Sequence, residues 1–303
     1  MNLLPMSPIT IEPLVRATLL EDLGRAGDLT TDAIVPVDIV ATTVLTAREA
    51  GVVAGLDLAA LAFRLVEPDI EVATRCSDGS EVSPGQVIAT LRGRARGILT
   101  AERTALNFLN HLSGIATATK SMVVAVRAHK ARIVCTRKTT PGLRSIEKYA
   151  VRAGGGSNHR FGLDDAVLIK DNHVAIAGGI RAAVERARAG VGHLVKIEVE
   201  VDTLAQLDEA LGLRVDAVLL DNMTLEDLRR AVAMVGDRAI TEASGRIAPA
   251  TAAQVAATGV DLISVGWLTH SAPALDIGLD FLPGAVDHRP SKGKKAPSVW
   301  PIR

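Results

Sequence analysis

The stretch Leu194-Val-Lys-Ile-Glu-Val-Glu-Val201 alternates apolar with charged residues, and the Ala- and Leu-rich segment 203–211 follows it. Successive side chains of a strand point to opposite faces, so Lys196, Glu198 and Glu200 share one face and the aliphatic residues share the other. The combination predicts a strand followed by a helix. It also predicts a strand face that carries three ionisable groups, which is costly unless they are paired or bound to a ligand.

The same strand–helix alternation extends from about residue 115 onward. The other candidate strands are Arg132–Cys135, Ala166–Ile169, Ala217–Leu220, Ala239–Thr241 and Leu262–Val265, and the candidate helices are 179–189, 203–211, 224–235 and 249–257. Thr203, Thr224 and Pro249 suit the N-caps or first turns of such helices. Repeated units of this kind imply parallel strands joined by right-handed crossovers.

Several of these strands end in a polar or otherwise special residue, namely Arg137, Lys170, Glu200, Asp221, Ser244 and Gly266. In α/β barrels the active site forms at the C-terminal ends of the strands. The pattern therefore favours a barrel, although an open doubly wound sheet would also place its ligands at strand ends.

The first 115 residues have a different character. Helical segments alternate there with β-rich stretches, the former at 10–20 and 55–66 and the latter at 39–48 and 69–92. We expect a small sandwich domain. Residues 100–120 are predicted to be helical, with Thr100 as N-cap and Glu102 in the first turn. The polar, basic and Pro-containing segment 285–303 is expected to be poorly ordered.

Composition excludes several classes of function. The 34 Lys and Arg residues balance 34 Asp and Glu residues, and aromatic residues make up only 2% of the chain. A nucleic-acid-binding protein usually has a basic excess and aromatic stacking platforms, so we expect no nucleic-acid partner. No apolar run reaches membrane-spanning length and no secretion signal is apparent, so neither a membrane association nor export is expected. The two widely separated cysteines fit a reduced, cytoplasmic protein.

The stretch Cys135-Thr-Arg-Lys-Thr-Thr-Pro-Gly-Leu-Arg144 concentrates three cations around a Pro-Gly turn. A second loop, Gly154-Gly-Gly-Ser-Asn-His-Arg160, adds His159 and Arg160, and Lys170 and His173 follow it. Arg binds carboxylates and phosphates through paired hydrogen bonds, and Lys supplies a point charge. So many cations within an otherwise globular segment predict a site for a small polyanion.

Two carboxylates and two small-residue strand ends complete the candidate site. Glu200 and Asp221 suit a divalent cation that keeps several waters. The alternatives are an internal Lys–Glu ladder for Glu200 and a helix cap for Asp221. Ser244-Gly245 and Gly266 let backbone N–H groups approach a phosphate, which barrels often bind after their last strands. Ser244-Gly245 alone, or Gly266 alone, would indicate only an ordinary turn.

Together these motifs resemble the quinolinate phosphoribosyltransferase family over nearly the whole chain. The matching segments are Glu102–Asn107, Ser113–Thr117, Thr136–Arg144, Gly154–Arg160, Lys170–His173, Ile197–Glu200, Leu220–Asn222, Glu242–Gly245 and Ile263–Asp276. The long basic segments are specific, so a chance match is implausible.

The resemblance implies an α/β protein with two domains. An N-terminal α/β sandwich would span 1–115, with 273–290 returning to it, and an incomplete α/β barrel of about six strands would span 116–272. Residues 291–303 would form a disordered tail. The resemblance further implies a homodimer or a higher assembly, in which Arg103 reaches into the partner's site. The residue pattern alone would leave Arg103 on a solvated helix face.

The implied reaction transfers phosphoribose from 5-phosphoribosyl-1-pyrophosphate to the ring nitrogen of quinolinate. With Mg²⁺ it yields nicotinate mononucleotide, pyrophosphate and CO₂ in NAD biosynthesis. The resemblance assigns the quinolinate carboxylates to Arg103, Arg137, His159, Arg160 and Lys170. It assigns the pyrophosphate to Lys138 and Lys170, the ribose hydroxyls and Mg²⁺ (directly or through water and substrate) to Glu200 and Asp221, and the 5′-phosphate to Ser244, Gly245 and Gly266. Of these residues, Lys138, Lys170, Glu200 and Asp221 would be catalytic.

The chain departs from the family pattern at Arg246, where a second Gly is usual, and at Trp267, where a small residue is usual. Arg246 would add a phosphate contact or face solvent. The alternatives to the main interpretation are a paralogous phosphoribosyltransferase with another substrate and a non-catalytic protein that binds phosphorylated metabolites. The cations that match a quinolinate clamp argue against the first, and the presence of both Glu200 and Asp221 argues against the second.

Overall fold

The structure is a computed structural model that describes residues 3–287, with side chains as far as Phe281. The chain forms two compact units. The first contains the described residues up to His111 and those from Leu275 onward, and the second is Leu112–Ala274. The tail predicted at 291–303 lies outside the described residues.

The first unit is built on a four-stranded antiparallel sheet in the order β12-β1-β5-β3. Its elements are α1 Pro8–Leu23, α2 Leu29–Ile34, β1 Val40–Ala47, β2 Gly51–Val52, α3 Leu56–Val66, β3 Glu71–Thr74, β4 Glu81–Val82, β5 Val87–Arg94 and β12 Ile277–Asp287. Helix α1 buries Ile11, Val15 and Leu19, which recur at the four-residue spacing of one helix face. Strand β12 comes from the end of the described chain and pairs antiparallel with β1.

A long helix, α4, runs from Ala95 to Val126 and crosses the boundary between the units. The prediction that a helix begins at Thr100 is wrong, because α4 starts directly after β5 with the buried Ala95. The Thr100 hydroxyl therefore caps no helix and instead donates to Asp28 Oδ2 at 3.0 Å. Glu102 consequently lies beyond the first turn. Asp28 is itself the N-cap of α2 and accepts from the Thr31 backbone N–H at 2.9 Å.

The second unit contains a six-stranded sheet in the order β6-β11-β10-β9-β8-β7, in which every neighbouring pair is parallel. The strands are β6 Arg132–Val134, β7 Val167–Ile169, β8 Ile197–Val201, β9 Ala217–Asp221, β10 Ile240–Ser244 and β11 Leu262–Ser264. The helices are α5 Arg144–Ala153, α6 Asp171–Ala177, α7 Ile180–Gly190, α8 Leu204–Gly212, α9 Leu225–Val235, α10 Pro249–Ala256 and α11 Trp267–His270. The six predicted strands and four predicted helices are all present, whereas the short helices α5, α6 and α11 were not predicted.

Burial alternates along β8 as the sequence pattern predicts. Ile197, Val199 and Val201 belong to the apolar cluster that packs the sheet against its helices, and Glu198 and Glu200 lie on the other face. In the parallel register Glu200 lies beside Leu219 of β9, and Asp221 lies beside Ser244 of β10. The strand ends on this face therefore bring polar side chains from neighbouring strands together.

Lys196 does not share the environment of Glu198 and Glu200. It precedes β8, its side chain is 77% exposed, and its ammonium pairs with the Asp216 carboxylate. A Lys–Glu ladder built on Lys196 is therefore not formed. Glu198 pairs instead with His159, and Glu200 pairs with Lys170.

Hydrogen-bonded caps fix the starts of two helices that follow strands of the site. The Thr203 hydroxyl accepts from the Gln206 N–H at 3.2 Å, and the Gln206 side chain accepts in return from the Thr203 N–H at 3.1 Å. This reciprocal pair is a capping box. The Thr224 hydroxyl accepts from the Asp227 N–H at 3.1 Å. Both threonines act as N-caps, as the sequence predicts.

None of the helices in the described part of the chain is long and apolar enough to span a membrane.

The Thr203→Ala substitution should lower the free energy of unfolding by about 0.5–2 kcal/mol, because it leaves an N-terminal N–H of α8 without its acceptor. Urea denaturation monitored by circular dichroism measures the change. Thr203→Ser is the matched control, since it keeps the hydroxyl acceptor. Equal losses in the two variants would show that the hydroxyl bond does not stabilise the helix.

Candidate active site

A cavity of about 640 Å³ opens at the C-terminal ends of the parallel strands in the second unit. Its size falls in the range typical of small-molecule sites. Its polar lining includes Thr136, Arg137, Lys138, His159, Arg160, Lys170, Glu200, Asp221, Asn222, Glu242, Ser244, Gly245, Arg246, Ser264, Gly266 and His270. All of the predicted site residues except Arg103 therefore line one cavity.

Arg103 lies on α4 in the first unit, with 72% of its side chain exposed. Its guanidinium is 3.6 Å from Glu102, a loose pair at the surface. Such exposed pairs contribute little to stability. The side chain is thus free to meet a ligand or another molecule.

The basic segment after β6 forms a wall of the cavity. The Lys138 N–H donates to the Thr136 hydroxyl at 3.0 Å, and the Lys138 carbonyl accepts from the Thr269 hydroxyl at 2.7 Å. These bonds fix the loop backbone while the Lys138 side chain stays exposed at the cavity. Arg137 Nε is buried and has no hydrogen-bond partner among the described residues. An unpaired guanidinium donor at a cavity wall is suited to an anionic ligand.

The rest of this segment shapes the loop. The Thr139 hydroxyl accepts from Arg144 Nε at 3.0 Å, and the Thr140 N–H donates to Glu147 at 3.1 Å. Gly142 has a φ of 80°, which a side chain would disfavour. Arg144, whose role the sequence left open, also donates to the Phe161 carbonyl at 3.3 Å and does not line the cavity.

A lysine and two carboxylates stand at three adjacent strand ends. Lys170, the N-cap of α6, places Nζ 2.7 Å from Glu200 Oε2. The Lys170 N–H donates to the ring of His173 at 2.9 Å, so His173 caps the helix. Asp221, at the end of β9, accepts from the Asn222 side chain at 2.6 Å. The oxygen-only donor set of Glu200 and Asp221 is of the kind that Mg²⁺ prefers.

A second acidic cluster includes two residues of the cavity lining, His159 and Glu242. His159 Nε2 is 2.9 Å from Glu198 Oε2 and 3.5 Å from Glu242 Oε2. Glu242 is only 1% exposed, and neither of its carboxylate oxygens has a hydrogen-bond partner among the described residues. Burial, and then the charge of Glu198, raise the pKa of Glu242 to about 7. For His159, burial opposes the charged ring, but the hydrogen bond to Glu198 and the two nearby carboxylates outweigh burial and raise the pKa.

Sequence reasoning did not select Glu198 or Glu242 as site residues. The period-two pattern of β8 does put Glu198 on the face of Glu200, and Glu242 precedes the Ala-Ser-Gly segment that was selected. Each of these acidic residues lies two positions before a predicted site residue, Glu200 or Ser244, and therefore on the same face of its strand. Asn222 and His270 also line the cavity, and no strand periodicity in the sequence indicates that they do.

Close contacts with neighbouring side chains explain the small residues at the other strand ends. Gly245 has a φ of 112°, and a Cβ there would lie 2.3 Å from Asn222 Oδ1. A Cβ on Gly266 would lie 2.9 Å from the Lys138 side chain. A side chain at either position would therefore displace a neighbouring side chain of the cavity wall.

Arg246 and Trp267, where the chain departs from the family pattern, both line the cavity. Arg246 has a φ of 45°, in the left-handed region that favours glycine, and its side chain is exposed. Trp267 Nε1 donates to the Ile247 carbonyl at 3.1 Å. The indole thus ties the loop after β10 to the start of α11.

Comparison with known proteins agrees with this architecture. The family model for the quinolinate phosphoribosyl transferase C-terminal domain matches residues 115–280, and the model for the N-terminal domain of the same family matches 28–113. The chain belongs to the quinolinate phosphoribosyl transferase family. The six-stranded parallel sheet with its helices and the antiparallel N-terminal sheet confirm the predicted α/β fold class.

Members of the quinolinate phosphoribosyl transferase family in distant organisms are similar over most of this chain. It is 48% identical to nicotinate-nucleotide pyrophosphorylase [carboxylating] of Mycobacterium leprae over 88% of its own length and 95% of the relative. It is 41% identical to the probable nicotinate-nucleotide pyrophosphorylase [carboxylating] of Bacillus subtilis, over 91% of its own length and 94% of the relative. The crystal structure of NadC from Streptococcus pyogenes superposes with a TM-score of 0.88 at 40% identity, covering 92% of this chain and 100% of that one.

Replacing Glu242 by Gln should stabilise the protein more at pH 8 than at pH 5. The pKa of Glu242 rises from 4.5 to about 7 on folding, so between these values the unfolded chain releases a proton that the folded chain keeps. Wild-type stability therefore falls as the pH rises through this window, and Gln removes that dependence. We expect the stability difference between variant and wild type to grow by about 1–3 kcal/mol across the window, measured by urea denaturation at each pH.

Glu21→Gln provides the control, because Glu21 is an exposed carboxylate on α1. This control measures how replacing a carboxylate by an amide changes the free energy of unfolding at an exposed position. A stability difference for Glu242→Gln that is the same at both pH values would contradict the raised pKa.

Proposed function

We propose that this protein transfers the phosphoribosyl group of 5-phosphoribosyl-1-pyrophosphate to the ring nitrogen of quinolinate, with loss of the 2-carboxylate as CO₂. The product would be nicotinate mononucleotide, an intermediate of NAD biosynthesis. The observation that carries the proposal is that four cations and two carboxylates meet at the strand ends around one cavity, namely Arg137, Lys138, Arg160 and Lys170 with Glu200 and Asp221.

The cations suit a substrate that carries two carboxylates. Arg160 Nη1 donates to the Ala166 carbonyl at 3.1 Å, which orients the guanidinium beside the cavity. Burial, and next the nearby Arg137, lower the pKa of Arg160 from its usual value. Two guanidinium groups this close together favour an anion between them. Arg137, Arg160 and Lys170 would bind the quinolinate carboxylates, with His159 beside them.

The loops after β10 and β11 suit the phosphoribosyl donor. Ser244, Gly245 and Gly266 would offer backbone N–H groups to the 5′-phosphate. Lys138 and Lys170 would bind the pyrophosphate and stabilise its negative charge as it leaves. Glu200 and Asp221 would contact the ribose hydroxyls and stabilise the positive charge that develops on the ribose ring. No protein nucleophile is required, because positioning and charge stabilisation reduce the barrier.

Mg²⁺ is proposed as the cofactor, and the oxygen-only set of Glu200 and Asp221 fits it. When bound, it neutralises charge on the pyrophosphate. Decarboxylation would follow transfer, because the adjacent cationic ring nitrogen stabilises the electron pair that CO₂ leaves on C2, and C2 then takes up a proton from water. Arg137 and Arg160 would hold the remaining carboxylate in place during that step.

We propose further that the protein acts as a homodimer in the cytoplasm, with Arg103 entering the partner's site. The exposure of Arg103 and its loose pairing with Glu102 leave it available for such a contact. Both cysteines, Cys76 and Cys135, are free, which suits a reducing compartment.

The proposal is tested by incubating the protein with quinolinate, 5-phosphoribosyl-1-pyrophosphate and Mg²⁺. We expect nicotinate mononucleotide and CO₂ in equal amounts, measured by chromatography and by release of label from the 2-carboxylate. Failure to form both would reject the proposal. Reaction with nicotinate but not with quinolinate would indicate a paralogous transferase, and ligand binding without any product would indicate a binding protein.

Replacing Arg137 by Ala should weaken quinolinate binding by about 1.5–3 kcal/mol, the usual contribution of a charge-assisted hydrogen bond. Isothermal titration with quinolinate measures the change. Arg132→Ala is the matched control, because Arg132 is an exposed cation at the other end of the same strand. Wild-type affinity in Arg137→Ala would show that this guanidinium does not bind the substrate.

Replacing Arg246 by Gly should raise KM for 5-phosphoribosyl-1-pyrophosphate by roughly threefold to tenfold, equivalent to about 1 kcal/mol. Glycine adopts the left-handed backbone at this position without strain, so the variant removes the cation while leaving the loop able to keep its shape. Arg246→Lys keeps a positive charge and should retain most of the affinity. An unchanged KM in the Gly variant would mean that Arg246 faces solvent without contacting the phosphate.

A further inference from the structure

Three buried ionisable side chains surround the His159–Arg160 peptide, and none of them is among the residues assigned above to substrate. They are Lys148 on α5, Glu198 on β8 and Glu242 on β10, here called the support layer. Lys148 and Glu242 are each only 1% exposed, and the Glu198 side chain is 12% exposed. Burying three ionisable groups is costly, so their contacts indicate what the layer does.

Lys148 fixes the backbone of the loop. Its Nζ donates to the His159 carbonyl at 3.1 Å and to the Arg160 carbonyl at 3.0 Å. It also lies 3.1 Å from Cys135 Sγ, at the start of the basic segment. One buried ammonium group therefore holds two consecutive carbonyls and joins them to the neighbouring wall of the cavity.

The His159 ring is held at both nitrogens. Nδ1 accepts from the Arg160 backbone N–H at 2.7 Å, so Nδ1 carries no proton in this arrangement. Nε2 then carries the ring proton and donates it to Glu198 at 2.9 Å. The neighbouring carboxylates favour a second proton on the ring, but the Arg160 amide occupies the site that would receive it. The hydrogen-bond geometry therefore specifies a neutral ring with its proton on Nε2.

This tautomer also decides between two roles for the cluster. The ligand atoms of His159, Glu198 and Glu242 all lie within 4.8 Å of one another, a spacing that would suit a metal ion. A metal bound at Nε2 would require the ring proton on Nδ1, where it would face the Arg160 N–H. The geometry instead favours a hydrogen bond from Nε2 to Glu198, with Glu242 as a second, electrostatic neighbour of Nε2 at 3.5 Å.

We propose that Lys148, Glu198 and Glu242 are positioning residues, which hold the His159–Arg160 peptide so that the Arg160 guanidinium meets a carboxylate of the substrate while the His159 ring stays hydrogen-bonded at both nitrogens. The proposal rests on the proposed function for the identity of that substrate, quinolinate. Binding sites need such support because a loop that shifts by a fraction of an ångström loses paired hydrogen bonds. The layer acts on the wall that binds the carboxylates. The phosphate loops after β10 and β11 do not contain these residues.

Steady-state kinetics of Glu242→Leu test the proposal. We expect KM for quinolinate to rise ~10-fold or more, while KM for 5-phosphoribosyl-1-pyrophosphate stays within about twofold of wild type. Glu242→Gln restores the polar group and should recover most of the quinolinate affinity. Lys148→Met should show the same selective rise, since it frees the two carbonyls.

Asp261→Asn is the matched control. Asp261 is a partly buried carboxylate at the opposite end of the sheet, where it accepts from the Thr241 N–H at 2.9 Å and pairs with Lys130 at 2.7 Å. Its replacement should reduce stability without changing KM for quinolinate. A folded Glu242→Leu variant with wild-type quinolinate KM would overturn the proposal, and so would equal rises in both KM values.

A second measurement requires neither a folded Leu variant nor turnover. The ¹⁵N spectrum of the wild-type histidine rings, with the His159 signals assigned by their loss in His159→Gln, should show a protonated Nε2 and an unprotonated Nδ1. The reverse tautomer would overturn the proposal. Absence of nicotinate mononucleotide in the wild-type assay would reject the proposed function, and the ring spectrum would still decide how His159 is held.

Discussion

The pairing of ionisable side chains on the inner face of the parallel strands is the constraint on which the site depends. The outer faces of these strands carry Val, Ile and Leu that pack against helices, and this packing determines which residues point inward. Ionisable groups that point inward must then be paired or, as at Glu242, held in the uncharged form, because isolated charges are costly in a low-dielectric interior. Glu198 pairs with His159, and Glu200 pairs with Lys170. The Lys170–Glu200 pair places charged groups at the cavity, where a ligand can reach them.

The strands, the helices that follow them and the polar strand ends were predictable from sequence because they obey local rules. Alternation along β8 follows the two-residue period of a strand, and Thr203 and Thr224 cap helices because their hydroxyls accept backbone N–H groups. The start of α4 was not predictable in the same way. Thr100 has the chemistry of an N-cap, but its hydroxyl donates a hydrogen bond to Asp28, which is distant in sequence.

Non-local pairing also explains which parts of the site the sequence did not reveal. Nothing in the order of residues shows that Glu242 faces His159 or that Lys148 reaches the carbonyls of the His159–Arg160 peptide. These contacts depend on the order of strands in the sheet and on the path of the loop before β7. The assignment of Arg103 to the site does not come from the residue pattern, because its exposed position on α4 gives no physical indication of a site. Only family resemblance makes it a candidate.

The Lys170–Glu200 pair shows how such a network can prepare the site for its ligands. The lysine side chain is 48% exposed and the carboxylate only 12%, so an incoming anion reaches the lysine first. In the proposed reaction a substrate carboxylate or the pyrophosphate forms an ion pair with Lys170. Glu200 then loses its ion pair with that lysine. A partly buried carboxylate that has lost its ion-pair partner attracts positive charge more strongly, both that of Mg²⁺ and that developing on the ribose. The ribose ring develops positive charge as its bond to pyrophosphate breaks, so binding of the anionic groups prepares Glu200 to stabilise the transition state. The Lys170–Glu200 ion pair of the free protein therefore contributes to catalysis because ligand binding breaks it. Lys170 then pairs with the anionic ligand, and Glu200 becomes available to the reacting ribose.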